Sequence, residues 1–144
     1  MLPFWRLEPP FSFAIYIAFA VLFATGAAWI IADRLKESSE GEIWQQAAAY
    51  LLMLHGGAAM LTLMLLGALV PLHIARAWRA GKNRATGTIM LACNAVLIVT
   101  AFGLYYFGAR DFRSWTSDLH IAFDCALPVL MFVHILVGHR NGST

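Results

Sequence analysis

The chain has 144 residues, of which 60% are hydrophobic and 12% are charged, and its formal net charge is +2. A soluble domain carries roughly 25% charged residues because its surface must meet water, so this composition excludes a water-soluble fold. The small net charge argues against a nucleic-acid partner. We therefore predict an integral membrane protein whose main surroundings are membrane lipid.

Four apolar segments are long enough to cross a bilayer, and they cover about residues 11–32, 47–74, 87–107 and 119–138. A helix rises about 1.5 Å per residue, so about 20 residues cross a hydrocarbon core of ~30 Å. Backbone groups in lipid must be hydrogen-bonded within their own segment, which makes each segment a helix. The first segment is longer than the roughly 7–15 apolar residues of a signal peptide, and we expect it to remain as a span. The predicted fold is an all-α integral membrane four-helix bundle, a single membrane domain over residues 1–144.

Basic residues indicate how the spans are oriented. Four spans place both termini and the middle joint on one side, and that side carries six of the ten Lys and Arg residues: Arg6, Arg76, Arg79, Lys82, Arg84 and Arg140. The other side carries four, including Arg110 and Arg113 in a third joint expected at 108–118. Because cytoplasmic loops carry an excess of Lys and Arg, this multi-pass chain is predicted to have both termini in the cytoplasm.

The histidines are the strongest functional signal in the chain. His55 and His73 lie in the second span, His120 and His134 lie in the fourth, and His139 lies at the exit of the fourth. Ionisable side chains inside a bilayer are costly and usually functional. The second and fourth spans run in the same direction, because one span separates them. His55 should therefore lie at the membrane level of His120, and His73 at the level of His134 or His139.

The spacing of the histidines predicts haem ligation. His55 and His73 are 18 residues apart, which is five helical turns, and His120 and His134 are 14 apart, about 40° short of four turns. Each pair therefore faces one side of its helix. Two such helices would hold two b-type haems, each with one histidine from each helix, and bis-histidine ligation suits electron transfer. A non-haem metal would need its ligands together at one level.

The two spacings differ by four residues, so alternatives stay open. Bends at Pro71 and Pro128 would absorb the difference. His139 would give a better rise in place of His134, but its ring would point about 100° off the stripe. A single haem is the third possibility.

Other side chains have supporting roles in this hypothesis. The haem propionates need cations, and the candidates are Arg76, Arg79, Arg110 and Arg113. Asp124 lies one turn after His120, where it would orient a histidine, pass protons to a quinone, or stay protonated in a helix–helix hydrogen bond. Asn94 and Thr100 of the third span are expected to hydrogen-bond to neighbouring helices.

Several stretches of this sequence are similar to a known family. They are His73-x4-Trp78-Arg79-x3-Asn83-Arg84-x2-Gly87, then Leu97 to Thr100 and on to Tyr105-Tyr106, then His120, Pro128 and His134. Over about residues 50–140 the chain resembles small bacterial b-type cytochromes of the cytochrome b561-like, DUF4405-like membrane family. The resemblance implies a helical bundle in the bacterial inner membrane with histidine-ligated haem b. It also implies the ligand role for His55, His73, His120 and His134, and electron transfer between quinones and a redox partner protein.

Three functions remain as hypotheses. The first is a haem b cytochrome subunit that assembles with a redox partner, because joints of about a dozen residues cannot hold a flavin or nucleotide. The second is a haem-free membrane anchor or assembly subunit of a larger complex. The third is a stand-alone quinone-linked oxidoreductase. A visible spectrum separates the first from the second, and turnover without a partner identifies the third.

Overall fold

A computed structural model describes residues 7–38 and 40–140 of the chain, and every described element is helical. The helices are α1 (Pro9–Leu35), α2 (Gly41–Leu69), a π-helical segment (Val70–Ile74), α3 (Ala75–Arg79), α4 (Arg84–Tyr106) and α5 (Arg110–Arg140). No strand occurs within these residues, so the predicted all-α class is confirmed. Arg6, which entered the orientation argument, lies outside the described residues.

Four helical stretches are long and apolar enough to cross a membrane: Pro9–Leu35, Gly41–Arg79, Arg84–Tyr106 and Arg110–Arg140. They correspond one to one with the four predicted spans, and the chain is a multi-pass membrane protein. Many of their large apolar side chains stay exposed, Met64 being 74% and Val99 69% exposed. Such side chains on a spanning helix are suited to contact with lipid.

The structure divides into two compact units, Met1–His73 and Ile74–Thr144, and each is described by itself. In the first unit, α1 packs against α2 as an antiparallel hairpin. Gly41 begins α2, and a Cβ there would collide with the Lys36 carbonyl, so the turn requires glycine. The buried residues are mostly small or apolar: Ile15, Ala18, Phe19, Ala32, Ala48 and Thr62. The predicted single domain over 1–144 stays a prediction.

The π-helical segment at the end of the first unit has an identifiable cause. Pro71 has no N–H to donate to the carbonyl four residues earlier, and its ring disfavours regular α-helical geometry. The chain instead forms a π turn over Val70–Ile74, which contains His73. Pro128, by contrast, lies inside an uninterrupted α5. Of the two expected bends, the one at Pro71 takes the form of a π turn.

In the second unit, α4 packs against α5. The turn before α4 contains two residues with positive φ, Gly81 at 68° and Asn83 at 51°. The Arg84 guanidinium closes this turn by donating to the Trp78 carbonyl from Nε at 3.1 Å and from Nη2 at 2.8 Å. At least one of the four basic residues of the middle joint therefore has a structural role. The buried side of the hairpin includes Cys93, Asn94, Leu97, Thr100, Gly103, Asp124 and Leu127.

The third joint is shorter than predicted. The sequence placed it at 108–118, but α5 already begins at Arg110, so Arg110, Asp111, Arg113 and Asp118 lie on the helix. Hydropathy marks only the part of a helix that lies in hydrocarbon, and charged residues do not end a helix once it reaches the headgroups. Asp111 in the first turn also favours a helix start, because a negative charge complements the helix dipole.

Candidate functional site

All four predicted ligand histidines lie on helices and are half-buried. His55 is in the middle of α2, and His73 is in the π-helical segment. His120 and His134 are both on α5. The first two belong to the first unit and the last two to the second. Each pair is therefore best examined within its own hairpin.

The His55 ring is held by α1. Its Nδ1 lies 3.0 Å from the Leu22 carbonyl oxygen and 3.2 Å from Oγ1 of Thr25. The Thr25 hydroxyl also lies 2.8 Å from the Val21 carbonyl oxygen. Since a carbonyl oxygen can only accept, Nδ1 of His55 is the donor in its bond to Leu22.

The two histidines of α5 are held by α4 in a similar way. Nδ1 of His120 lies 2.8 Å from Oγ1 of Thr100, and Nδ1 of His134 lies 2.9 Å from Oγ1 of Thr86. The threonines are 14 residues apart on α4, and the histidines are 14 apart on α5. Equal spacings on antiparallel neighbours mean that both pairs occupy one packing register, three to four turns apart.

Glycine gives the His134 ring room beside α4. A Cβ built on Gly87 would lie 3.8 Å from Cε1 of His134, which is ordinary van der Waals contact. The ring therefore packs against the first turns of α4, between the Thr86 hydroxyl and the Gly87 backbone. His134 is thus positioned by a second helix as well as by its own.

His139, the alternative to His134, has different surroundings. It is exposed near the end of α5, and its Nδ1 lies 2.9 Å from the Ile135 carbonyl oxygen of the preceding turn. This is a local bond at a helix end, of the kind that satisfies a terminal carbonyl. The bond to a neighbouring helix distinguishes His134 from His139.

The predicted propionate partners lie near helix ends. Arg76 and Arg79 are on the short α3, and Arg110 and Arg113 are in the first turn of α5. The Arg113 Nη1 donates to the Leu104 carbonyl at 2.7 Å, so this guanidinium caps the last turn of α4. That structural role was not anticipated from the sequence. Arg76, Arg79 and Arg110 are exposed.

Asp124 is a buried carboxyl, 8% exposed, on the side of α5 that packs against α4. Beside it, the Cys93 Sγ donates to the Phe123 carbonyl at 3.7 Å. A carboxyl at this depth is costly unless it is hydrogen-bonded or protonated. Its predicted role in orienting histidine is shared at least by Thr100, which bonds His120 directly.

Sequence reasoning recognised one of the three threonines in part. Thr100 was expected to bond a neighbouring helix, and it does so through His120. Asn94, expected to do the same, donates from Nδ2 to the Met90 carbonyl of its own helix at 2.9 Å. Thr25 and Thr86 were missed. The available signal was the equal 14-residue spacing of Thr86 with Thr100 and of His120 with His134.

The donor set fits haem better than a bare metal ion. Among residues 7–38 and 40–140, no three His, Cys, Asp or Glu side chains gather as a metal site would require. Haem needs only one or two axial imidazoles, because its porphyrin supplies the other ligands. An Nδ1 hydrogen-bonded away from the metal is the usual arrangement of a ligating histidine. No protein-family model, curated protein or solved structure matches the chain.

Proposed function

We propose that this protein is a haem b-containing membrane cytochrome subunit that carries electrons between the quinone pool and a redox partner protein. The observation that carries the proposal is the arrangement of His55, His120 and His134. Each ring is half-buried in a spanning helix, with its Nδ1 hydrogen-bonded to the paired helix of its own unit. Imidazoles positioned in this way inside an apolar hairpin are suited to ligation through the opposite ring nitrogen, Nε2.

The proposed ligand pairs follow from the order of the spans. His55 with His120 would hold one haem, and His73 with His134 would hold the other. When bound, haem supplies a one-electron iron couple, and two histidine ligands leave no open position for other chemistry. The protein's own part is to fix the rings, exclude water with its apolar side chains, and balance the propionates with Arg76, Arg79 and Arg110.

The surroundings of the proposed electron carrier are also inferred. The excess of basic residues beside the middle joint favours cytoplasmic termini, and the resemblance described above favours a bacterial inner membrane. Asp124 is the candidate for proton exchange with a quinone, because it is a buried carboxyl one turn from His120. The short loops favour a separate polypeptide as donor or acceptor.

The experiment is a visible spectrum and a haem-to-protein ratio of the purified full-length chain. A b-type reduced spectrum with two haems per chain supports the dihaem proposal, and one haem per chain reduces it to a monohaem cytochrome. A colourless chain that takes up no added haem overturns the proposal and leaves the membrane anchor. Turnover with quinol and a soluble oxidant, without any partner, would identify a stand-alone oxidoreductase.

A further inference from the structure

We infer that Thr25, Thr86 and Thr100 are positioning residues that hold the proton of their histidine on Nδ1. The lone pair of each neutral ring is then on Nε2. The use of that lone pair in haem ligation rests on the proposed function. The assignment of the proton does not, because it follows from hydrogen bonds within each hairpin.

The direction of the hydrogen bonds is clearest at Thr100. A threonine hydroxyl has one hydrogen to donate, and its oxygen can accept others. Oγ1 of Thr100 lies 2.8 Å from the Val96 carbonyl oxygen and 3.1 Å from that of Leu97. Both are acceptors, so the hydroxyl hydrogen points to its own helix. The oxygen is left to accept from Nδ1–H of His120 at 2.8 Å.

The same order of donors applies at the other two threonines. Oγ1 of Thr86 lies 3.3 Å from the Asn83 carbonyl oxygen, and Oγ1 of Thr25 lies 2.8 Å from that of Val21. Backbone carbonyls of the preceding turn are the usual acceptors for a threonine inside a helix. Each imidazole proton therefore begins a short chain that runs from Nδ1–H to the hydroxyl and on to a carbonyl.

His55 has a second fixed acceptor that the other two rings are not shown to share. Its Nδ1 lies 3.0 Å from the Leu22 carbonyl oxygen in addition to the Thr25 hydroxyl. A carbonyl cannot reverse its role, whereas a hydroxyl can rotate and donate instead. Removal of the threonine hydroxyl should therefore change the His55 tautomer less than those of His120 and His134.

Two other threonines provide matched controls. Oγ1 of Thr62 donates to the Ala58 carbonyl at 2.8 Å, and Oγ1 of Thr88 donates to the Arg84 carbonyl at 2.8 Å. Among the described residues, neither hydroxyl is shown bonding an imidazole. Thr62 is buried like Thr100, and Thr88 is two residues from Thr86. Valine at these positions removes the same hydroxyl and the same local bond without touching a histidine.

The test is nitrogen NMR of the full-length chain, labelled at histidine and reconstituted in lipid nanodiscs before and after haem addition. In the wild type without haem, we expect His55, His120 and His134 to carry the proton on Nδ1. Thr86→Val and Thr100→Val should shift their rings toward a mixture of both tautomers. They should also weaken haem binding roughly ten- to hundred-fold, the usual effect of losing a partner of a metal-bound histidine.

Three further variants complete the design. Thr25→Val should have a smaller effect on its ring, and Thr62→Val and Thr88→Val should leave all tautomers and haem binding unchanged. Thr100→Ser and Thr86→Ser keep the hydroxyl and should restore the wild-type behaviour. Protons on Nε2 in the wild type, or unchanged tautomers in Thr86→Val and Thr100→Val, overturn the inference. An equal change in Thr88→Val does so as well.

The outcomes separate this inference from the proposed function. Haem uptake by the wild type together with unchanged tautomers in the valine variants overturns the positioning role alone. Protonated Nδ1 in the wild type without any haem uptake overturns the proposed function alone. If a valine variant fails to fold, the wild-type spectrum and the serine variants still decide where the proton is.

Discussion

The two units hold their histidines differently. In the second unit, two threonines of α4 face two histidines of α5 at equal spacings of 14 residues. In the first unit, Thr25 of α1 faces His55 of α2, and moving 18 residues along α2 to His73 corresponds to Leu7, before α1 begins at Pro9. His73 therefore lies beyond the partner helix, in a π turn. The second unit presents two equivalent rings, whereas the first presents one ring fixed by a helix and one placed by a proline-induced turn.

This difference indicates which proposed haem depends on which structural feature. The pair of His55 and His120 has a threonine contact on both rings. The pair of His73 and His134 combines one threonine-held ring with a ring in the π turn. We expect the second pair to be the more sensitive to changes in helix geometry. The predictions below test that expectation, from the largest effect to the smallest.

The largest effect is expected from removal of a ligand on α5. His134→Ala should lose one of the two proposed haems, while His139→Ala should retain both, because His139 bonds the carbonyl of its own helix. The measurement is the haem-to-protein ratio of each purified variant. His120→Ala, which should lose the other haem, is the positive control. Loss of a haem in His139→Ala with full retention in His134→Ala would show that the ligand was assigned to the wrong histidine.

The second prediction concerns the π turn. Pro71→Ala restores a backbone N–H and removes the ring that disfavours an α-helix, so Val70–Ile74 should relax toward α-helical geometry. That change rotates the His73 ring and should weaken haem binding at the His73 site on the order of ten-fold, comparable to other losses of ligand orientation. The site of His55 should bind as before. Separate titration of the two haems measures both.

A control for this experiment is Pro128→Ala, which changes a proline inside an uninterrupted α5. Because no π turn occurs there, we expect a smaller change in haem binding. If both haem sites respond equally to Pro71→Ala, the distinction between a geometry-sensitive pair and a threonine-held pair is lost. Equal binding in Pro71→Ala and wild type has the same meaning.

The sequence predicted the elements that the bilayer itself dictates. Four apolar stretches of sufficient length became four helices, since lipid leaves no other solution for the backbone. The ends were less predictable because helices continue into the headgroup region, as Arg110 and Asp111 at the start of α5 illustrate. The histidines could be placed on faces by counting turns. Their partners Thr25 and Thr86 could not, because one hydroxyl in an apolar run becomes informative only when the register with the opposite helix is known.

A third prediction compares close packing in the two hairpins. A Cβ on Gly103 would lie 2.8 Å from the Phe107 ring and 3.2 Å from the Thr116 methyl, whereas a Cβ on Gly57 would meet nothing within 4 Å. Gly103→Ala should therefore destabilise the second unit by about 1 kcal/mol, the lower end of typical overpacking costs. Gly57→Ala should be neutral or slightly stabilising because alanine favours a helix. Unfolding in a denaturing detergent measures both, and equal stability of the two variants would show that the α4–α5 joint is not tightly packed.

The smallest effect is expected where a guanidinium closes a helix end in the second unit. Arg113 donates to the Leu104 carbonyl at 2.7 Å, so Arg113→Gln should cost about 1 kcal/mol in the free energy of unfolding. Arg110→Gln, in the same helical turn and exposed, should cost less than half of that. If both arginines acted mainly on haem propionates, the order would depend on haem. Unfolding of the variants with and without bound haem distinguishes the two cases: a difference that persists without haem assigns Arg113 to the α4 end, and one that appears only with haem assigns it to the cofactor.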